Sequence, residues 1–409
     1  MSLKYRRLVA RGRVAAIPFV AAAAVAGGVG VSSAAAHRAG HAAGMAVSSK
    51  TLNVLKKYVA AQEHAPAWIA PGPAVNAKKA LKGKKIVTFP ISSEIDACNL
   101  KGQQGYLDAE ATKLGAKVIA LNSSTGPTGW QANLQQAITD KANAVVMLCG
   151  PTAAVLTPQL AALKAHHIPV VDGNYNQTGG SKSFPFSGLS AESGVDTAGG
   201  MKTDLAQALI NLKGKAAHVL FLDSSQVAQY QGAINALNGA MKKWCSGCSV
   251  VKSEDFATPD WSGPKETAAI SSDLQANPSI NTVIVTFDGM TDGIESTVQS
   301  AASSHPGLAM YAWGGGLAEI KAVQNGGTFM GDSGPNEKWD AYNQLDQVIR
   351  LLAHQKPAPV NKEIAPNMFF VKSNAASFSV GGKGTQYSDK AFANGAFVNN
   401  YLRLWGVIK

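Results

Sequence analysis

The amino-acid sequence predicts an α/β fold made of two doubly wound, parallel-sheet lobes, and three observations carry that expectation. Short apolar runs recur between segments long enough to be helices. The runs are continuously hydrophobic rather than alternating, as in strands covered on both faces. The alternation passes through one half of the chain and then begins again in the other. With 409 residues, 46% of them hydrophobic and 15% charged, the chain is long enough and apolar enough to give each lobe its own core.

Residues 1–36 read as a signal peptide. Lys4, Arg6, Arg7, Arg11 and Arg13 form a basic start, Val14 to Val31 is almost uninterrupted Ala, Val, Gly and Ile, and Ala34-Ala35-Ala36 offers a small-residue cleavage site. Pro18 and the cluster Gly27, Gly28, Gly30 argue against a transmembrane anchor, and the cleavage region has no cysteine to carry a lipid. An exported product is expected, by the Sec route, in the periplasm or at the cell exterior, with no stable membrane insertion after cleavage. The formal charge of +11 becomes +6 without the leader's five basic residues. The remaining lysines fall in short clusters such as Lys82-Gly83-Lys84-Lys85 with no interleaved aromatics, so no nucleic-acid partner is expected.

Residues 37–83 read as an N-terminal extension, with a short helix over Leu52 to Ala61 and a Pro-rich stretch from Ala65 to Pro73 that holds the chain extended. From Ile86 the rhythm changes. Ile86 to Pro90 is a strand, Leu100 to Leu114 a helix, Lys117 to Leu121 a strand, Trp130 to Lys141 a helix, Ala144 to Leu148 a strand, Ala154 to His166 a helix and Ile168 to Val171 a strand. The second half repeats the unit with helix Val195 to Leu212, strand His218 to Leu222, helix Gln226 to Lys243 and a strand from Val250. Helix Lys265 to Ala276, strand Thr282 to Phe287, helix Met290 to Ala302, strand Met310 to Trp313 and helix Leu317 to Asn325 complete it. In such sheets ligands collect at the carboxyl ends of the strands.

Several phrases carry a family likeness. Lys82-Gly83-Lys84-Lys85-Ile86-Val87, Ala137-Ile138 ahead of Ala144-Val145-Val146-Met147-Leu148, and Ala165-His166-His167-Ile168-Pro169-Val170-Val171-Asp172 resemble the type I periplasmic binding proteins. So do Gln275-Ala276-Asn277-Pro278 and Asp288-Gly289-Met290 in the second half. Within that family the chain is most similar to the ribose-binding-protein-like sugar receptors of ABC transporters, over about residues 82–372.

The resemblance implies a type I periplasmic binding protein fold with a three-strand hinge, its crossovers near Ser187 to Ala191, Gly331 to Gly334 and Pro366. The N-terminal lobe would be residues 84–188 and 332–365, and the C-terminal lobe residues 189–331 and 366–372. The tail, 373–409, carries Tyr387, Phe392, Phe397, Tyr401, Leu404 and Trp405 and is expected to pack on a lobe. The resemblance further implies a monomer that binds a small molecule, carbohydrate first, closes about its hinge and delivers the ligand to an ABC transporter permease. No catalysis and no cofactor are implied.

The loops after the strands supply the candidate site. They are Ser93, Glu94 and Asp96 after the first strand, Thr152 after the third, Asn174 and Tyr175 after the fourth, then Gln229, Tyr230, Asp288 and Trp313 in the second lobe. Asp332 lies at the second expected crossover. Carboxylates and amides suit sugar hydroxyls, and aromatic faces suit the C–H face of a ring. The family's sugar receptors place an Asp-Arg pair, a second arginine and a further acid where this chain has Asn174-Tyr175, Gln229-Tyr230 and Trp313-Gly314. Their aromatic clamp in the first loop is replaced by Ser93-Glu94-Ile95-Asp96. A neutral non-sugar ligand, such as a nucleoside or aromatic compound, is therefore the alternative within the same fold.

Cysteine raises a competing function of another class. Cys245 and Cys248 have the spacing of a thiol-disulfide oxidoreductase motif. Here, however, the pair follows a helix and precedes a strand, where the helix's negative end disfavours a thiolate, so a structural disulfide is the expectation. Cys98 and Cys149 follow adjacent strands and can form a second bridge. No metal site is expected, since the neighbours His166 and His167 point apart and His37 and His41 sit beside the leader. With no phosphate-binding glycine loop and no Gly-x-Ser-x-Gly elbow, no residue is assigned a catalytic role. A signalling partner in place of the transporter is a further option for the same receptor.

Overall fold

The structure, a computed structural model, describes residues 46–64, 67–123, 126–151, 153–176, 188–225, 227, 230, 232–379, 391–392 and 395–409. The expected signal peptide lies outside these residues. The extension holds helices α1 (Ser49–Gln62) and α2 (Ala77–Leu81). The first lobe then runs through β1 (Lys85–Pro90), α3 (Gln103–Lys113), β2 (Lys117–Ala120), α4 (Pro127–Thr139), β3 (Ala144–Leu148), α5 (Thr157–Ala165), β4 (Val170–Asn176) and β5 (Ala191–Val195). The second lobe follows with α6 (Thr197–Asn211), β6 (His218–Asp223), α7 (Ala233–Trp244), β7 (Ser249–Asp255), α8 (Pro264–Ala276), β8 (Thr282–Val285), α9 (Glu295–Ala301), β9 (Ala309–Trp313), α10 (Leu317–Asn325) and β10 (Phe329–Pro335). The chain returns to the first lobe for α11 (Glu337–Leu352) and β11 (Ile364–Ala365), then ends with β12 (Asn367–Phe370), α12 (Lys372–Ser379) and α13 (Ala396–Leu404).

Each lobe is built on a six-stranded sheet, in the orders β11-β5-β4-β3-β1-β2 and β12-β10-β9-β8-β6-β7. Every described neighbour pair is parallel except β10 with β12. Their central strands are mostly apolar and buried on both faces, as with Val87 set between Ile119 and Val145. Strand order reverses between β1 and β3 in one sheet and between β6 and β8 in the other. Loops leaving such a switch point diverge and open a crevice at the carboxyl ends of the strands.

The crossovers fall at Asp196, Asn336 and Pro366, where consecutive strands or helices change sheet. The first two lie further along than expected, because β5 and β10 extend their sheets past residues 188 and 331. The N-terminal lobe therefore keeps residues 189–195, and the C-terminal lobe keeps 332–335. Two crossover residues also start helices: Asp196 accepts from the Gly199 N–H, and Asn336 from the Trp339 N–H, each satisfying a free donor of the first turn. Asn367, just past Pro366, donates to the Asp196 carbonyl at 2.6 Å and accepts from Trp313 Nε1 at 3.2 Å, so the crossovers are tied together. The glycine at 334 is required by close approach: a Cβ there would stand 2.2 Å from the Gly314 carbonyl carbon.

Both ends of the described chain pack on the lobes. Helix α1 buries Leu55 and Val59 against α6, and its Tyr58 ring lies 5.8 Å from Trp244, all in the C-terminal lobe. The chain then crosses to the N-terminal lobe, where α2 meets α11 and Arg350 donates to the Pro73 carbonyl at 3.0 Å. At the other end α12 packs on α10 of the C-terminal lobe, while α13 packs on α11. Phe397 stacks on Trp339 at 4.7 Å, and Trp405 Nε1 donates to Asp346 at 2.7 Å. Tyr387 lies outside the described residues.

Candidate functional site

The loop from the end of β1 to α3 is the N-terminal wall of the cleft. Its conformation is fixed by local hydrogen bonds: Ser93 Oγ accepts from the Ser123 N–H at 2.8 Å, and Asn99 Nδ2 donates to the Ser93 carbonyl at 2.8 Å. A disulfide from Cys98 to Cys149 ties the loop to the end of β3. Cys149 holds a left-handed backbone, φ 59°, that a non-glycine residue seldom adopts, and its N–H donates to Gln103 Oε1. Gln103, on the first turn of α3, also donates through Nε2 to Asp340 on α11.

The C-terminal wall is aromatic. Phe287 leaves β8 and lies 5.1 Å from Trp261 and 5.8 Å from Tyr230, and Tyr230 meets the edge of Trp313 at 6.2 Å. Tyr230 and Trp313 are 1% and 2% exposed, whereas Trp261 and Phe287 are half-buried. Beside them Asp288 accepts from the Gly316 N–H at 2.6 Å, holding the loop that follows β9.

Between the walls lie two spaces. The inner is a cavity of about 40 Å³ lined by Ile91, Ile95, Cys98, Gln103, Tyr230 and Trp313 among others. It has room for a few waters and not for a hexose. The outer is a cleft of about 680 Å³ whose lining includes Ser92, Glu94, Asp96, Trp261, Phe287 and Asp288. Both draw residues from the two lobes.

Burial governs the acids here. It raises Asp340 to about 8, opposed by the bond from Gln103, and raises Glu319 to about 7. Asp288 is pushed well above the carboxylate range, first by burial and then by the charge of Glu319. Asp332 is raised by burial and by Asp288, Glu319 and Asp204.

The structure brings Glu94, Asp96, Tyr230, Asp288 and Trp313 to the two spaces. Asp96 is also paired with Lys101 at 2.8 Å. Ser93 instead braces its loop and lines neither space. Asp332 lines neither as well: it is fully buried inside β10, between β9 and β12, because the sheet continues beyond the point expected for the crossover. Thr152 and Gln229 lie outside the described residues, and Asn174 and Tyr175 are described only as backbone at the end of β4. Sequence reasoning did not assign Gln103, Glu337 or Asp340, which reach the site from helices α3 and α11 rather than from loops after strands. The signal for α11 was the cap Asn336 ahead of Glu337. The second cysteine pair, Cys245 with Cys248, forms a disulfide after the last turn of α7.

A family model described as periplasmic binding protein domain matches residues 101–356. The chain belongs to that family. Its two sheets, switch-point crevice and crossovers are those of a type I periplasmic binding protein, and solved structures agree. A solute-binding protein of an ABC transporter from Agrobacterium vitis, with bound allitol, has a TM-score of 0.62 and 18% identity over 73% of this chain and 98% of that one. One from Burkholderia graminis in complex with D-arabinose gives 0.60 and 14%, over 73% and 98%. One from Bacillus halodurans with bound myo-inositol gives 0.59 and 14%, over 72% and 97%. No curated protein matches the chain. Among the described residues, no helix of this periplasmic binding protein is long and apolar enough to cross a membrane.

Proposed function

We propose that the protein is an extracytoplasmic solute receptor that captures a small hydroxylated molecule, sugar or polyol, between its lobes and delivers it to an ABC transporter permease. The observation that carries this reading is the cleft itself. Carboxyl ends of both sheets converge on it; the C-terminal wall supplies aromatic rings with the acid Asp288 beside them, and the N-terminal wall supplies amide and carboxyl groups. Family membership and relatives that hold allitol, D-arabinose and myo-inositol support the same reading. The inner cavity is too small for such a ligand, so the outer cleft is the place for it, and three crossovers permit the lobes to close over it. The disulfide state of Cys245 and its place at a helix C-terminus favour a structural role over redox catalysis.

The test is a thermal-melting screen of sugars, polyols, nucleosides and aromatic acids, followed by small-angle scattering of any hit. A true ligand at about 100 times its Kd adds about 2.7 kcal/mol to stability, a rise of several degrees, and should reduce the radius of gyration. A melting shift without compaction would count against lobe closure. Absence of any shift across the carbohydrate set would count against a sugar or polyol.

A further inference from the structure

Trp313 stands where the cleft meets the hinge. It is the last residue of β9, almost fully buried, and its indole lines the inner cavity beside Tyr230. The same residue also meets all three crossovers. At the first, helix α6 lies against the ring: a Cβ at Gly200 would stand 2.2 Å from Trp313 Cδ1. At the second, Trp313 is the register partner of Ser333 on β10, just before the chain leaves the sheet, and the next N–H, that of Gly314, donates to the Ser333 carbonyl at 2.7 Å. At the third, Nε1 donates to Asn367 Oδ1 at 3.2 Å, and Asn367 Nδ2 carries the tie on to the Asp196 carbonyl at 2.6 Å.

Lobe closure turns a few backbone dihedrals at the crossovers and leaves the sheets intact. A ligand can shift that equilibrium only through contacts that differ between the two arrangements. Phe287 and Trp261 belong to the body of the C-terminal lobe: their rings pack at 5.1 Å, and Trp261 Nε1 donates to the Phe256 carbonyl at 3.3 Å. They can hold a ligand without acting on the hinge. Trp313 differs, because its indole cannot tilt in the cavity without disturbing its bond to Asn367 or its contact with Gly200.

We infer that Trp313 is a positioning residue for lobe closure: the indole senses what occupies the cavity and, through Asn367 and Gly200, sets the angle at which the crossovers rest. The inference rests on the receptor reading above and adds to it the part that links ligand to hinge. Each step is a direct contact between neighbouring groups, and the two lobe arrangements are the two states that it biases. The bond to Asn367 favours the arrangement of this structure, so its loss releases molecules into other lobe angles.

The experiment is pulsed dipolar spectroscopy of the ligand-free protein. Spin labels are placed at Val155 on the N-terminal lobe and Met330 on the C-terminal lobe, both exposed and outside the two spaces. Trp313→Phe keeps a ring in the cavity and removes the N–H. It should lower the ratio of molecules at the parent lobe distance to those at other distances about fivefold, the worth of one hydrogen bond. Asn367→Leu should shift the distances at least as far, and the double variant no further than Asn367→Leu alone. Trp261→Phe, which loses the corresponding N–H on the aromatic wall, should keep the parent distances. Parent distances retained in Trp313→Phe and Asn367→Leu, even with lowered melting temperatures, would make Trp313 ordinary core and overturn the inference. Additive shifts in the double variant would overturn it as well. Either result leaves the receptor reading to its own ligand screen; if no sugar or polyol of that screen moved the parent distances either, both would fall.

Discussion

In the N-terminal lobe Arg350, 1% exposed, forms an ion pair with a fully buried Asp346 at 2.5 Å, and the same guanidinium reaches back to Pro73. In the C-terminal lobe Asp204, Asp288, Glu319 and Asp332 share an interior, and none forms an ion pair among the described residues. The disulfides differ in the same sense. Cys98 and Cys149 stand 51 residues apart, while Cys245 and Cys248 stand 3 apart. Two lobes with one sheet plan are thus braced differently: the first holds a buried ion pair and a disulfide that closes a long loop, the second neither of these, although both bury further acids that burial raises, Asp172, Glu192 and Asp340 among them in the first.

The largest expected effect breaks the first lobe's tie. Arg350→Met leaves Asp346 buried without its partner and should cost about 3–5 kcal/mol in chemical denaturation. A loss below about 1 kcal/mol would mean that the pair is replaceable packing. Next is the disulfide contrast. Replacing Cys98 and Cys149 by serine should cost about 2–4 kcal/mol, and replacing Cys245 and Cys248 less, because closing a long loop removes more unfolded-state entropy. Equal losses from the two double variants would sink that account.

The smallest effect concerns pH. Since the acids of the second lobe are raised in the folded state, the unfolded chain releases their protons first. Stability should therefore fall as pH rises from about 4, and level off once the folded acids ionise in turn. For Glu319 that point is about 7. Asp332→Asn removes one such group. Its melting temperature should match the parent near the acid end and exceed it by a few degrees at mildly alkaline pH. A constant gap across the range would show that Asp332 is ionised in the fold.

How far the sequence could be read follows from the same contrast. Strands β1, β3, β6 and β8 were legible because each is an apolar run buried on both faces. Strand β5, Ala-Glu-Ser-Gly-Val, and β10, Phe-Met-Gly-Asp-Ser-Gly-Pro, contain no such run; neighbours on both sides hold them in the sheets, and that moved the crossovers. Helix α11 was missed for a related reason. It is buried from Trp339 to Arg350, and polar Asn343, Gln344, Asp346 and Gln347 interrupt any apolar stripe. Expected helix Gln226 to Lys243 begins only at Ala233, after the left-handed Gly232. At the site, positions after strands were accessible to reasoning from topology. Contributions from α3 and α11 depend on how helices meet the cleft, which local pattern does not encode.

The terminal helices offer a practical handle. Because α1 rides on the C-terminal lobe and α13 on the N-terminal lobe, the two ends of the described chain belong to different halves of the receptor. Val54 and Ile408 are 57% and 39% exposed, and neither lines the cleft. A donor and an acceptor dye attached at those positions would convert lobe movement into energy transfer without occupying the ligand's place, which makes the molecule a ready frame for an optical sensor.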